Sequence, residues 1–182
     1  VAALAPGVMG MTGIETVEVV KGVTDRVKPD LIIAIDALAA RKVSRVNSTI
    51  QLSNTGVAPG AGVGNKRKTL NEDSLGVPVI AIGVPTVVDA ATMANDTIEK
   101  VIDALLKESK KGSSFYNMLK DTAEEEKYNL IKDVLDPYTE NMFVTPKEVD
   151  AVVENIVNII ANSINIALHP GININDINKY KF

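Results

Sequence analysis

The chain has 182 residues, of which 46% are hydrophobic and only 4% aromatic, so its core must be mainly aliphatic. This length favours a single domain. Nineteen basic and 23 acidic residues give a net charge of −4, which argues against a general nucleic-acid binder. The absence of cysteine excludes disulfides and thiolate chemistry, and a single histidine excludes multi-histidine metal sites. We find no apolar run approaching ~18 residues and expect no membrane span.

The first part of the chain is predicted to begin with a helix and a buried strand. Thr12 and Glu15 have the spacing of a capping box, which predicts a helix that ends at Pro29. Residues 31–35 form a continuous aliphatic run, which is typical of a strand buried on both faces of a parallel sheet. Asp36 follows directly and is therefore expected at the carboxyl end of a central strand.

Two further strands and a long helix are predicted next. Residues 48–53 alternate in polarity, which indicates a strand nearer the edge of the sheet, and residues 77–84 are again aliphatic. Thr86 and Asp89 have capping-box spacing before a helix that ends near Gly112. Three strands are few for such a sheet, so we expect partners from upstream of Val1 or from another chain.

The remainder of the chain is predicted to be helical. Residues 113–136 carry charge runs among apolar positions, which favours amphipathic surface helices. Thr145 and Pro146 are predicted to start the last helix, which ends at Pro170. The fold class is therefore α/β, as one domain over residues 1–182 with a sheet core in 1–112 and a helical portion in 113–182.

Carboxylates are the catalytic candidates that remain by elimination, because cysteine is absent and the one histidine, His169, fits a surface role at a helix end. In open α/β sheets, ligands bind beyond the carboxyl ends of the strands. Asp36 and Asp89 are both expected at that edge. The alternative for Asp36 is an N-cap of a short helix over residues 37–40, and the alternative for Asp89 is a capping-box role.

A glycine-rich segment, residues 56–68, is the most unusual part of the sequence, with four glycines in its first nine residues. It matches neither a Walker A loop nor a dinucleotide-binding fingerprint. Glycines let the backbone approach a ligand closely, and the alternative is a mobile surface loop. The candidate substrate-binding residues here are Gly60, Gly62, Gly64, Asn65, Lys66 and Arg67.

Basic residues cluster after two of the predicted strands. One group is Arg41, Lys42 and Arg45, and the other is residues 66–68. Together they can hold an acidic substrate or a carbonyl oxygen. The alternative interpretation is ordinary solvated surface.

Five segments carry a resemblance to a known family. They are residues 5–13 (APGVMGMTG), 30–39 (DLIIAIDALA), 60–68 (GAGVGNKRK), 83–90 (GVPTVVDA) and 144–150 (VTPKEVD). In these segments the chain resembles the germination protease of spore-forming bacteria, from about Leu4 to His169. The resemblance implies an endopeptidase that degrades small acid-soluble spore proteins in the spore cytoplasm during germination. It also implies a zymogen, a homo-oligomer, and a three-layer sandwich around a mostly parallel sheet, similar to hydrogenase-maturation peptidases.

The resemblance assigns one member of a catalytic aspartate pair to Asp36. The other belongs to a segment N-terminal to the sequence given, so we expect this chain alone to be inactive. Two neighbouring carboxylates share a proton, so that one activates water and the other polarises the scissile carbonyl. A non-catalytic module that binds an anionic ligand or peptide through the glycine-rich segment is the alternative, and metal-dependent hydrolysis stays open. We predict no cofactor, no resident metal, no direct nucleic-acid binding and no membrane association.

Overall fold

The computed structural model describes residues 1–60, 67–120, 124–139, 142–177 and 179. In that part the strands are β1 (Ile32–Ala40), β2 (Gln51–Ser53), β3 (Val79–Asp89) and β4 (Phe143–Val144). The helices are α1 (Met9–Thr12), α2 (Thr16–Val27), α3 (Glu72–Leu75), α4 (Ala90–Glu108), α5 (Ser114–Lys120), α6 (Glu124–Thr139) and α7 (Val149–Leu168). Short 3-10 helices cover Val43–Arg45 and Ile174–Asp176.

The chain forms two compact units, residues 1–144 and 145–182. The first contains the sheet and helices α1 to α6, and the second contains α7 and the C-terminal residues. The prediction of one domain over residues 1–182 stays a prediction.

The sheet is mixed, which confirms the α/β class and corrects the expectation of a mostly parallel sheet. β1 and β3 pair in parallel, while β2 and β4 both pair with β3 in the antiparallel sense, giving the order β1-β3-β2. Only residues 41–50, with one 3-10 turn, connect β1 to β2. That connection is too short for the crossover that a parallel strand needs, so β2 runs back along β3.

One face of the sheet carries an aliphatic core. Val17 on α2, Leu75 on α3, Val79 on β3 and Leu70 form a buried cluster. Partly buried side chains of Val20, Ile32, Ala34 and Val57 pack against it. Because side chains alternate along a strand, Asp36 follows Ile32 and Ala34 on this same face of β1. The core thus extends along β1 to the position of the candidate catalytic carboxylate.

Three helix starts differ from the sequence-based prediction. Gly13 has a φ of 69° and ends α1, so α2 begins at Thr16 with Glu15 as its N-cap rather than at a Thr12 cap. β3 continues to Asp89 because β4 pairs with its last two residues, so Thr86 lies in a strand and Asp89 itself caps α4. The carbonyl of Pro146 accepts the Val149 N–H in a preceding turn, and α7 begins only at Val149.

Helix α7 is long and apolar enough to count as a candidate membrane span, although it contains charged and asparagine residues and is not an uninterrupted apolar run. Its 20 residues have a mean hydropathy of 1.4 over the most apolar window, so by length and composition alone it passes as a membrane span. Core helices of soluble proteins meet the same criterion, so the expectation of no membrane association stays a prediction. Helix α7 ends at Leu168 with His169 as its C-cap, close to the predicted end at Pro170.

Candidate active site

Asp36 lies within β1 rather than at its carboxyl end. It is the fifth of nine residues in the strand and pairs with Gly83 of β3. The strand continues because residues 37–40 stay paired with β3, which also rules out the alternative of an N-cap for a helix there. β1 pairs only with β3 among the described residues, so the expectation of a central strand is wrong for this part of the chain.

The surroundings of Asp36 are apolar on the side that faces the core. Gly83, its partner on β3, has no side chain, and a Cβ at that position would collide with the side chain of Leu38. Leu38 therefore lies over the strand next to the carboxylate. Asp36 is partly buried, and its Oδ2 atom is buried with no hydrogen-bond partner in the described part of the protein.

Burial raises the pKa of the Asp36 carboxyl above its ordinary value near 3.8, and the hydrogen bond from the Ala37 N–H only partly opposes this. A half-buried carboxyl with a raised pKa and one oxygen without a hydrogen-bond partner is the kind of group that enzymes use to give or take a proton. The position of Asp36 on the sheet thus supports the chemical role that the sequence suggests for it.

Replacing Asp36 by asparagine is expected to make stability depend less on pH. A carboxyl whose folded-state pKa is raised binds its proton more tightly when folded, so it opposes folding once the pH passes its ordinary value near 3.8, and more so up to the raised pKa. The Asp36→Asn variant should therefore gain stability relative to the wild type at neutral pH but not near pH ~3. Urea unfolding at several pH values measures this, and a pH-independent difference would contradict it.

The glycine-rich segment has a narrow, well-ordered neck. Val57 and Leu70 exchange two backbone hydrogen bonds, with N–O distances of 3.1 and 2.7 Å. Both side chains belong to the core region that also covers Ala34, so the neck lies on the sheet face that carries Asp36. Gly60 adopts a φ of 77° beyond the neck. The other predicted residues of this segment, Gly62, Gly64, Asn65 and Lys66, lie outside the described residues.

Two basic residues that follow the glycines form ion pairs with glutamates at the start of α2. Arg67 Nη1 lies 3.1 Å from Glu15 Oε1 and also contacts the Met9 sulfur, and these two charged side chains are only 26% and 29% exposed. Lys68 Nζ lies 2.5 Å from Glu18 Oε1, a pair that lowers the pKa of Glu18 and raises that of Lys68. The sequence pattern gave Glu15 only a capping role and did not single out Glu18, although their three-residue spacing at the start of a helix places them on one face.

The Arg67→Ala variant is expected to lower the free energy of unfolding by about 1 kcal/mol, since a partly buried ion pair is lost. A double-mutant cycle with Glu15→Gln should recover a coupling energy of the same sign. Lys68→Ala is the matched control, and because Lys68 is 63% exposed its effect should be smaller. Additive effects of Arg67→Ala and Glu15→Gln would mean that the pair contributes nothing.

Asp89 is engaged as a helix cap. One carboxylate oxygen accepts the Thr92 N–H at 2.7 Å, and the other accepts the Thr92 hydroxyl at 2.6 Å. This arrangement supports the structural interpretation, with Asp89 at the N-cap rather than inside a capping box, and leaves a substrate-binding role for it as a prediction. Within the described residues, no group of three acidic, histidine or cysteine side chains is placed to hold a metal ion.

Comparison with known proteins agrees with the resemblance seen in the sequence. A family model described as germination protease matches residues 1–122 and 103–181. The germination protease of Clostridium tetani is 57% identical over 180 residues, which cover 99% of this chain and 56% of that protein. The germination protease of Bacillus subtilis is 48% identical in an alignment of 199 positions, gaps included, which covers 93% of this chain and 54% of that protein.

The chain spans about half the length of the curated relatives that it matches. Within that span, the two segments matched by the family model overlap and together include the strand that carries Asp36, the glycine-rich segment and α7. Since both the family model and the relatives cover nearly all of its residues, the chain belongs to the germination protease family.

Proposed function

We propose that this chain supplies Asp36 and its supporting sheet to an endopeptidase that degrades small acid-soluble spore proteins during germination. The observation that carries the proposal is the half-buried Asp36 carboxyl, unpaired at Oδ2, in a chain of the germination protease family. Burial raises the pKa of this group above its ordinary value, which makes Asp36 hold a proton more readily than an exposed aspartate does.

The proposed mechanism uses Asp36 as the protonated member of an aspartate pair. Its O–H donates to the scissile carbonyl oxygen and makes the carbonyl carbon more electrophilic. The second carboxylate, from outside these 182 residues, takes a proton from a water molecule whose oxygen attacks that carbon. Asp36 gives its proton to the carbonyl oxygen as the tetrahedral intermediate forms. The second carboxyl group then gives the proton taken from water to the amide nitrogen, the C–N bond breaks, and Asp36 takes back a hydroxyl proton of the intermediate.

The remaining features are proposed from the family resemblance. They comprise synthesis as a zymogen, assembly as a homo-oligomer, a spore-cytoplasmic location, and a three-layer sandwich like that of hydrogenase-maturation peptidases. The alternative, a module that binds an anionic ligand through its glycine-rich segment, has less support. Two of the cations it would use, Arg67 and Lys68, are paired with Glu15 and Glu18.

The proposal is tested by incubating a small acid-soluble spore protein with two proteins. One is this 182-residue chain, and the other is a protein of the length of its relatives. We expect the longer protein to release defined fragments and the shorter chain to leave the substrate intact, because the shorter chain holds one carboxylate of the pair. Mass spectrometry of the products measures this. Specific cleavage by the shorter chain that depends on Asp36 would show that one aspartate suffices.

A further inference from the structure

Two clusters of basic residues in the first unit differ in their partners. Arg67 and Lys68 are held by glutamates of α2. Arg41, Lys42 and Arg45 are all exposed, and no carboxylate among the described residues forms an ion pair with any of them. We call these three residues the 41–45 cation cluster. Its three positive charges lie within five consecutive residues of a chain whose net charge is −4.

The backbone beneath the 41–45 cation cluster is fixed by several hydrogen bonds. The Val43 N–H donates to Asp96 Oδ2 on α4 at 2.7 Å, which ties the 3-10 turn to that helix. The Arg45 N–H donates to the Lys42 carbonyl at 3.0 Å, and the Asn47 N–H donates to the Pro85 carbonyl of β3 at 2.7 Å. A held backbone reduces the ordering that the cations must undergo when they bind a ligand.

The cluster lies at a defined distance along the strand from the candidate catalytic residue. Arg41 follows Asp36 by five residues, and β1 is extended as far as Ala40. Five residues of extended chain advance about 16 Å, at about 3.3 Å per residue. An extended substrate peptide that runs along β1 has the same rise per residue. If its scissile bond lies at Asp36, a side chain about five residues from that bond reaches the 41–45 cation cluster.

We infer that Arg41, Lys42 and Arg45 bind acidic side chains of an extended peptide substrate, roughly four to six residues from the bond that is cleaved. Guanidinium and ammonium groups form charge-assisted hydrogen bonds with carboxylates, and exposed unpaired cations need no existing partner to be displaced. This inference rests on the proposed peptidase function and adds a specificity determinant to it.

A peptide fits the cluster better than a nucleic acid does. The chain as a whole is acidic, which opposes the approach of a long phosphate backbone. The sequence has no tryptophan and only 4% aromatic residues, so it offers few side chains on which bases can stack. A short acidic segment of a peptide needs contact only with the cluster itself.

The test replaces the three cations in a protein that has the length of the curated relatives. It then compares substrates that differ only in their glutamates. The cleaved bond of a small acid-soluble spore protein is first mapped, and glutamates about four to six residues away are then replaced by glutamine. With the wild-type protein, this replacement should raise KM about tenfold and leave kcat nearly unchanged. In the Arg41→Ala/Lys42→Ala/Arg45→Ala variant, KM should already be raised, and the substrate replacement should have no further effect.

The control variant is Lys100→Ala/Lys107→Ala/Lys110→Ala, which removes three exposed cations of α4 and the residues after it and changes the net charge equally. It should keep the preference for the glutamate substrate. A cluster variant that also keeps this preference would overturn the inference, and so would competition by a DNA oligonucleotide as strong as that by the acidic peptide. Fluorescence anisotropy with labelled glutamate and glutamine peptides reports binding separately from cleavage. Selective binding without cleavage of any substrate would therefore refute the proposed peptidase activity and still assign the cluster to acidic peptides.

Discussion

The Asp36→Asn variant of a protein with the length of its relatives is expected to cleave small acid-soluble spore protein about 10³-fold more slowly than the wild type, or slower still. Asparagine has the shape of aspartate but has no carboxyl proton to donate and no carboxylate to accept one. Losing one member of a catalytic unit removes most of the rate that the unit provides. Quantifying the fragments over time by mass spectrometry gives the rate ratio.

Asp30→Asn is the matched control for this experiment, because Asp30 is an exposed carboxylate just before β1 on the same segment. It should cleave substrate at the wild-type rate. Unfolding curves of both variants show whether a lost activity reflects a lost fold. Because partial burial raises the pKa of Asp36, its variant should be at least as stable as the wild type at neutral pH. An active Asp36→Asn variant would remove this residue from the mechanism.

Local sequence patterns predicted the central elements of the first unit well. The aliphatic runs at residues 31–35 and 77–84 became β1 and β3, and the spacing of apolar residues located α2 and α4. What the patterns missed is where each strand ends. β1 and β3 both continue past the aliphatic run, because pairing between the two strands holds residues that have no strand signal of their own. This is why Asp36 lies inside a strand and not after it.

Local sequence patterns did not predict which charged side chains pair with residues distant in the sequence. Arg67 was assigned to substrate, yet it binds Glu15 across 52 residues, and the role of each basic cluster became distinguishable only once that pair was seen. The partner of an exposed charge depends on tertiary packing. The resemblance to a family identified Asp36 as a candidate, and the structure added the burial that raises its pKa.

The neck of the glycine-rich segment connects these observations. Val57 and Leu70 close the neck with paired backbone hydrogen bonds, and Leu70 belongs to the core that covers Ala34 on β1. Arg67 and Lys68, which shortly precede Leu70 in the chain, form ion pairs with Glu15 and Glu18 at the start of α2. The neck therefore joins the glycine-rich segment to the same core that supports Asp36, and a change that opens the neck should destabilise this region as a whole.

Gly56→Ala is expected to lower the free energy of unfolding by at least about 2 kcal/mol. Gly56 has a φ of 85°, in the left-handed region that side chains rarely adopt, and a Cβ there would collide with the Leu70 carbonyl and lie 2.7 Å from Asn71 Cβ. The colliding atom belongs to the backbone of the neck and is hydrogen-bonded to the Val57 N–H, so it cannot move without breaking that bond.

Gly60→Ala separates the two causes in the same segment. Gly60 has a φ of 77°, but a Cβ added there meets no described atom within 4 Å, so only the backbone strain of about 1–2 kcal/mol remains. Urea unfolding of the two variants and the wild type should therefore rank Gly56→Ala well below Gly60→Ala, and hydrogen exchange should show faster exchange of the Val57 and Leu70 amides in Gly56→Ala alone. Equal destabilisation of the two variants would mean that the collision with the Leu70 carbonyl costs nothing and that the neck opens freely. It would contradict the claim that the neck joins the glycine-rich segment to the core beside Asp36.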